Sequence, residues 1–142
     1  MMAVDYAIFP AVEKLAVNIL KAARDTDNIF SPLTPHIGTK IPSSPDWSNG
    51  VVTVGRVGGV PTERHWLDHP NVQFDVWADE KADAHDIAQR VRVSLLRAEG
   101  TKYTNPVCFV TGTEDGIGIS WAFDTFNLKP RYTGSVYLTL HP

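Results

Sequence analysis

The chain has 142 residues, a formal net charge of −3 at pH 7 with neutral histidines, 43% hydrophobic residues and 20% charged residues. This composition is ordinary for a globular protein, and the length suits one domain spanning residues 1–142. The acidic net charge and the scattered basic residues disfavour nucleic-acid binding. The single cysteine excludes an internal disulfide, and no window of the sequence has the apolar length of a membrane span.

The first predicted helix covers residues 10–24. Its apolar residues recur at helical spacing, and Pro10 suits the first turn, where no N–H is needed. The stripe consists of Val12, Leu15, Ala16, Ile19, Leu20 and Ala23. Residues 29–50 hold four prolines and little periodicity, which predicts a long loop with a short edge strand over 36–41 at most.

Two strands are predicted next, over residues 51–57 and 71–78. The second alternates, so that Val72, Phe74 and Val76 face one way and Trp77 the other. Large apolar groups on both faces predict cover on both sides of this strand, by the helices or by a neighbouring subunit.

The second helix is predicted over residues 80–98, with Asp79 as its N-cap and Gly100 as its stop. Its buried stripe is predicted to be Ala84, Ile87, Ala88, Val91, Leu95 and Leu96.

Three strands are predicted after this helix, over residues 106–111, 117–123 and 132–140, with a tight connection over 112–116. The element order is therefore α-(β)-β-β-α-β-β-β. This order predicts an α+β fold, with a mostly antiparallel sheet and two helices packed on one face.

The segment 65–69 contains the strongest candidates for chemistry. Two histidines four residues apart, His65 and His69, share a helix face, and Asp68 supplies a third ligand type for zinc. However, Pro70 limits any helix here, and Trp66 stands where zincins carry their general-base Glu. A solvated loop is the favoured interpretation, and a small metal-dependent hydrolase using His65, Asp68 and His69 stays the alternative.

The other polar groups favour no site. The glycine-rich run 55–59 lacks the Lys-Ser/Thr pair of a P-loop and closes a strand, which predicts a bend instead of a phosphate cradle. Cys108 has apolar neighbours and is predicted to be a buried, inert thiol. Glu114, Asp115 and Asp124 are predicted to be solvated turn carboxylates. We therefore assign no catalytic residue, metal or cofactor, and expect no enzyme.

Four residues are instead predicted to make subunit or partner contacts: Trp47, Arg56, Arg64 and Trp66. Exposed aromatic residues on loops, such as Trp47 and Trp66, are typical contact anchors. Edge strands and the long loops near 29–50 and 58–69 supply the surfaces on which such contacts form.

These features together resemble the tail terminator (tail completion) proteins of long-tailed bacteriophages with non-contractile tails. The similarity is one of pattern and order over most of the chain. It rests on an N-terminal helix, a Pro-rich segment, the run Val54-Gly55-Arg56-Val57-Gly58-Gly59, a strand ending Val76-Trp77-Ala78, an Ala-rich helix over 82–88 and a closing strand from Arg131-Tyr132.

The resemblance implies a tail-terminator-like domain over 1–142 that forms a homo-oligomeric ring, typically a hexamer, on the end of the phage tail tube. Such a ring stops tube polymerisation and forms the joining surface to the head–tail connector protein. DNA passes through it without specific binding. The resemblance further implies a structural virion protein without cofactors, assembled in the host cytoplasm. The alternative within the same virion is a neck or head-completion protein.

Overall fold

The computed structural model describes residues 9–61 and 67–142. Its elements follow the predicted order with one strand added, β4. In chain order they are α1 (Val12–Asp25), β1 (His36–Gly38), β2 (Val51–Arg56), β3 (Asn71–Trp77), α2 (Lys81–Leu96), β4 (Thr101–Thr104), β5 (Val107–Asp115), β6 (Ser120–Trp121) and β7 (Arg131–His141).

The strands form one sheet in the order β1-β2-β3-β7-β5-β4, with β6 also pairing to β7. The β1–β2 pair is parallel and every other pair is antiparallel. Strand β7 is the longest, and it pairs with β3 on one side and with β6 and then β5 on the other. The predicted α+β class with a mostly antiparallel sheet is confirmed.

Both helices pack on the same face of the sheet and against each other. Helix α1 contacts β1, β2 and β3, whereas α2 contacts β3, β5 and β7. The buried side chains of α1 are the six predicted ones. On the sheet, Val72, Phe74 and Val76 are buried against the helices, as their alternation predicts. Burial of these apolar faces is what holds helices and sheet together.

The predicted helix starts need correction. Helix α1 begins at Val12, so Pro10 precedes it instead of lying in its first turn. Asp79 does not cap α2: the residue before the helix is Glu80, without a side-chain cap, and the Asp79 carboxylate accepts a hydrogen bond from Lys129 Nζ at 2.6 Å. In α2, Ser94 is buried with its hydroxyl donating to the Arg90 carbonyl at 2.7 Å, whereas Leu96, predicted to be buried, is only partly buried against the core.

The prediction for residues 100–123 is partly wrong. Strand β4 is only four residues long, too short for a recognisable alternation, although Tyr103 packs against the core. Residues 112–115 are not a connection, because β5 continues through a register shift between Val110 and Gly112 and ends at Asp115. The strand predicted over 117–123 is reduced to the two residues of β6.

Candidate functional site

The bend after β2 is held by an ion pair whose carboxylate is buried. The Nη1 and Nη2 atoms of Arg56 each lie 2.7 Å from a carboxylate oxygen of Asp68, whose side chain is 1% exposed. The same guanidinium donates to the carbonyls of Gly58 at 3.2 Å and Gly59 at 2.9 Å. Two carbonyls aimed at a cation are the reverse of a phosphate cradle, which presents N–H groups, and both glycines have positive φ. The predicted bend fits this geometry.

Asp68 and His69 lie side by side in sequence but contact different parts of the protein. The Asp68 carboxylate is committed to Arg56, while the His69 ring stacks on Tyr137 with centroids 4.9 Å apart. His69 Nδ1 lies 3.0 Å from Thr139 Oγ1, and Nε2 lies 3.5 Å from Glu114 Oε1.

The structure therefore does not bring Asp68 and His69 together as ligands of one metal. His65, the third member of the hypothetical zinc site, lies outside the described residues. Within ranges 9–61 and 67–142, no group of three or more His, Cys, Asp or Glu residues is placed to hold a metal ion.

Trp47 lies in the Pro-rich loop, half-buried, at the end of the sheet where β3 stops. Its carbonyl accepts hydrogen bonds from the N–H groups of Gly50 at 3.2 Å and Asp79 at 3.0 Å. Beside it, Ser48 and Asn49 donate to the Asp46 carboxylate, and the Ser48 hydroxyl is the first cause that lowers the pKa of Asp46. These hydrogen bonds stabilise the turn over residues 46–50.

Of the four predicted contact residues, two lie in the part of the chain that the structure describes. Trp47 lies where β2 begins and Arg56 where β2 ends, so the structure places them at opposite ends of the sheet. Arg64 and Trp66 lie outside the described residues. A contact role for all four stays a prediction.

Trp77 faces away from the helices and is covered by this chain itself. The residue is 6% exposed, its Nε1 donates to Asp124 Oδ2 at 2.9 Å, and the Arg131 guanidinium lies 5.4 Å from the ring centroid. Cover on both faces of β3 was predicted, and here the second cover is the connection between β6 and β7.

Of the three carboxylates predicted to be solvated in turns, Glu114 and Asp115 are exposed as predicted but lie in β5, and Asp124 is half-buried. Asp115 lies in β5 and accepts two hydrogen bonds from Arg92, at 2.6 and 2.7 Å. The Arg92 guanidinium is the first cause that lowers the pKa of Asp115. Asp124 closes the turn between β6 and β7, and Glu114 faces His69. Cys108 is buried as predicted, and burial raises the pKa of its thiol.

The most exposed apolar side chains belong to a segment for which the sequence predicts a strand over 117–123 and no element over 124–131. We call residues 120–132 the β6–β7 hairpin. Its exposed apolar side chains are Trp121, Phe123, Phe126 and Leu128. Phe126 is 92% exposed and Leu128 is 70% exposed. The sequence signal for this surface is the presence of two large apolar residues inside an Asp-Asn turn, where polar residues are usual.

Two solved structures share the fold. A chain of the virion of a native gene transfer agent particle matches with a TM-score of 0.61 and 11% sequence identity, covering 89% of this chain and 92% of that chain. The bacteriophage SPP1 gp17 protein matches with a TM-score of 0.55 and 18% identity, covering 91% of this chain and 88% of that chain. At these identities the similarity establishes a common fold over nearly the whole length.

No protein-family model matches the sequence, and neither does any curated protein. Among the described residues, neither helix combines the length and the apolar character that crossing a membrane requires.

Proposed function

We propose that this chain is a structural protein of a phage-type virion, and specifically a tail terminator. In this role several copies, typically six, form a ring on the end of the tail tube, stop its polymerisation and present the surface that joins the head–tail connector. DNA passes through the ring without specific binding. The protein works by assembly and needs no cofactor.

The shared fold is the observation that carries this proposal. The similarity to a gene transfer agent virion chain and to a phage protein covers about nine tenths of both partners, so it concerns the whole fold and not one motif. The sequence resemblance, reached from residue patterns, points to the same class of particle. Fold alone does not determine function, so the surfaces must supply the rest.

The surfaces support assembly better than catalysis. Asp68, the carboxylate of the hypothetical zinc site, is buried and paired with Arg56. The exposed apolar residues at one end of the sheet are instead of the kind that protein interfaces bury.

The test is assembly on isolated tail tubes. Tubes polymerised from the tube protein of the same genome are mixed with purified protein and imaged by negative-stain electron microscopy. We expect a ring on tube ends and an arrest of further elongation when fresh tube protein is added. Binding to connector-bearing heads but not to tubes would assign the chain to the neck or head-completion class instead. Absence of binding to both would refute the proposal.

A further inference from the structure

The turn of the β6–β7 hairpin is held rigidly by one carboxylate. Asp124 accepts hydrogen bonds from the N–H groups of Phe126 at 2.9 Å and Asn127 at 3.1 Å, and from Asn127 Nδ2 at 2.7 Å. The Asp124 N–H donates to the Lys129 carbonyl at 3.1 Å, which closes the turn. Leu128 has a positive φ of 56°, which is unusual for a branched residue. The hydrogen-bonded turn therefore holds Phe126 with its side chain in solvent.

The exposed apolar area of this hairpin approaches the area that each partner buries in a stable interface. With about 200 Å² for a whole aromatic side chain, the exposed parts of its four apolar residues sum to on the order of 500 Å². A stable interface buries about 800 Å² on each partner. The half-buried Trp47 lies beside the hairpin, with Lys129 Nζ 6.0 Å from its ring centroid, and extends the same surface.

A second apolar surface lies at the opposite end of β7. There, Val107 is 64% exposed and Phe109 is 39% exposed. With Lys102, Thr111 and His141 they line an open groove of about 430 Å³, which we call the β5 groove. The groove is large enough to receive an aromatic side chain, and its apolar residues alternate with the buried Cys108 and Val110.

The hairpin cannot reach the β5 groove of its own copy. In the sheet, Ser120 pairs with Thr133 and Phe109 pairs with His141. Eight residues of strand, roughly 26 Å, separate these two positions along β7, and the hairpin turn extends away from the groove. Each copy thus carries a projecting apolar surface and a receiving groove at opposite ends of β7.

We propose that the β6–β7 hairpin of one copy packs into the β5 groove of the next copy, with Phe126 as the central contact. Contacts between two different patches are heterologous, and they generate a closed ring when the rotation between copies closes. This inference rests on the proposed function in taking a second copy as the occupant, and it identifies the surfaces that join the ring.

The first test is disulfide trapping between copies. A Leu128→Cys variant is mixed with a Val107→Cys variant under mild oxidation, on tail tubes and in solution. The buried native thiol contributes little background. We expect cross-linked dimers from the mixture and not from either variant alone. The matched control replaces Val107→Cys by Lys14→Cys, because Lys14 is exposed on α1 and belongs to neither surface. Equal trapping with Lys14→Cys, or trapping of Leu128→Cys with itself, overturns the proposal.

The second test measures assembly after loss of the central side chain. Phe126→Ser and the control Lys14→Ser, an exposed position of α1, are compared by sedimentation velocity and by ring formation on tubes, after circular dichroism confirms their folding. We expect Phe126→Ser to raise the concentration for half-assembly by more than about tenfold, as truncation of a central anchor does. The control is expected to stay close to wild type.

The outcomes separate the two proposals. Normal rings of Phe126→Ser on tube ends would overturn the hairpin contact and leave the tail-terminator function standing. Wild-type protein that neither self-associates nor binds tubes would refute both.

Discussion

Arg56 and Asp68 form a bidentate ion pair in which the two side chains differ in solvent exposure. Both Nη atoms lie 2.7 Å from a carboxylate oxygen, and the Asp68 side chain is 1% exposed whereas that of Arg56 is 33% exposed. The Asp68 backbone also exchanges both hydrogen bonds with Leu140 of β7. The pair therefore fixes the point at which the loop after β2 rejoins the sheet.

This difference in exposure predicts unequal costs for the two halves of the pair. Arg56→Leu leaves a buried carboxylate without its cation, which costs about 3–5 kcal/mol of unfolding free energy. Asp68→Asn leaves a guanidinium that water can reach, and we expect a smaller loss of about 1–2 kcal/mol. Urea denaturation of the two variants measures both values. Equal losses, or a larger one for Asp68→Asn, would contradict the asymmetry.

The paired glycines of the same bend predict a second contrast. Gly58 and Gly59 both have positive φ, at 86° and 89°. A Cβ on Gly58 meets open space, whereas a Cβ on Gly59 overlaps the carbonyl oxygen of His69. Gly58→Ala should cost only the backbone penalty of about 1–2 kcal/mol. Gly59→Ala should cost roughly 1–3 kcal/mol more, because the loop must also shift. Thermal denaturation of the pair measures the difference, and equal melting temperatures would disprove the close approach.

The elements that the sequence predicts correctly are those with a long hydrophobic periodicity. The stripe of α1 and the alternation of β3 and β7 extend over seven residues or more, and each is buried on the predicted face. Predictions from local sequence are wrong where a residue distant in the sequence determines the hydrogen bond or the strand pairing. Asp79 has the chemistry of an N-cap but pairs with Lys129, and Gly112 has the chemistry of a turn but continues a strand. Neither partner is visible in local sequence.

The candidate site was harder to predict than the fold. The pairing of Arg56 with Asp68 spans twelve residues, and that of Trp77 with Asp124 spans forty-seven. Neither contact is predicted by a spacing pattern in the sequence. Phe126 belongs to no periodic segment, so its exposure follows only from the geometry of the turn. These contacts depend on tertiary packing, which propensity and periodicity do not encode.

Cys108 is predicted to be unreactive in the folded protein. Its side chain is buried in β5, and burial raises the pKa of its thiol, so little nucleophilic thiolate forms at neutral pH. We expect no reaction with a chromogenic disulfide reagent under native conditions, and one thiol per chain after unfolding. A Val107→Cys variant serves as the control, because its exposed thiol should react at once. Rapid native labelling of wild type would contradict the burial.

Asp124 predicts a specific pH dependence of stability. Its pKa is lowered to about 2, first by the side-chain amide of Asn127 and further by the N–H groups of Asn127, Trp77 and Phe126. An unfolded Asp titrates near pH 3.9, so the stabilisation is complete above about pH 4 and is lost as pH falls through about 2. Asp124→Asn cannot ionise. The gap in unfolding free energy between wild type and Asp124→Asn should therefore be constant near neutrality and shrink between about pH 4 and about pH 2. Urea midpoints across that range measure the gap, and a gap that stays unchanged at the acid end would show that the turn does not depend on the ionised carboxylate.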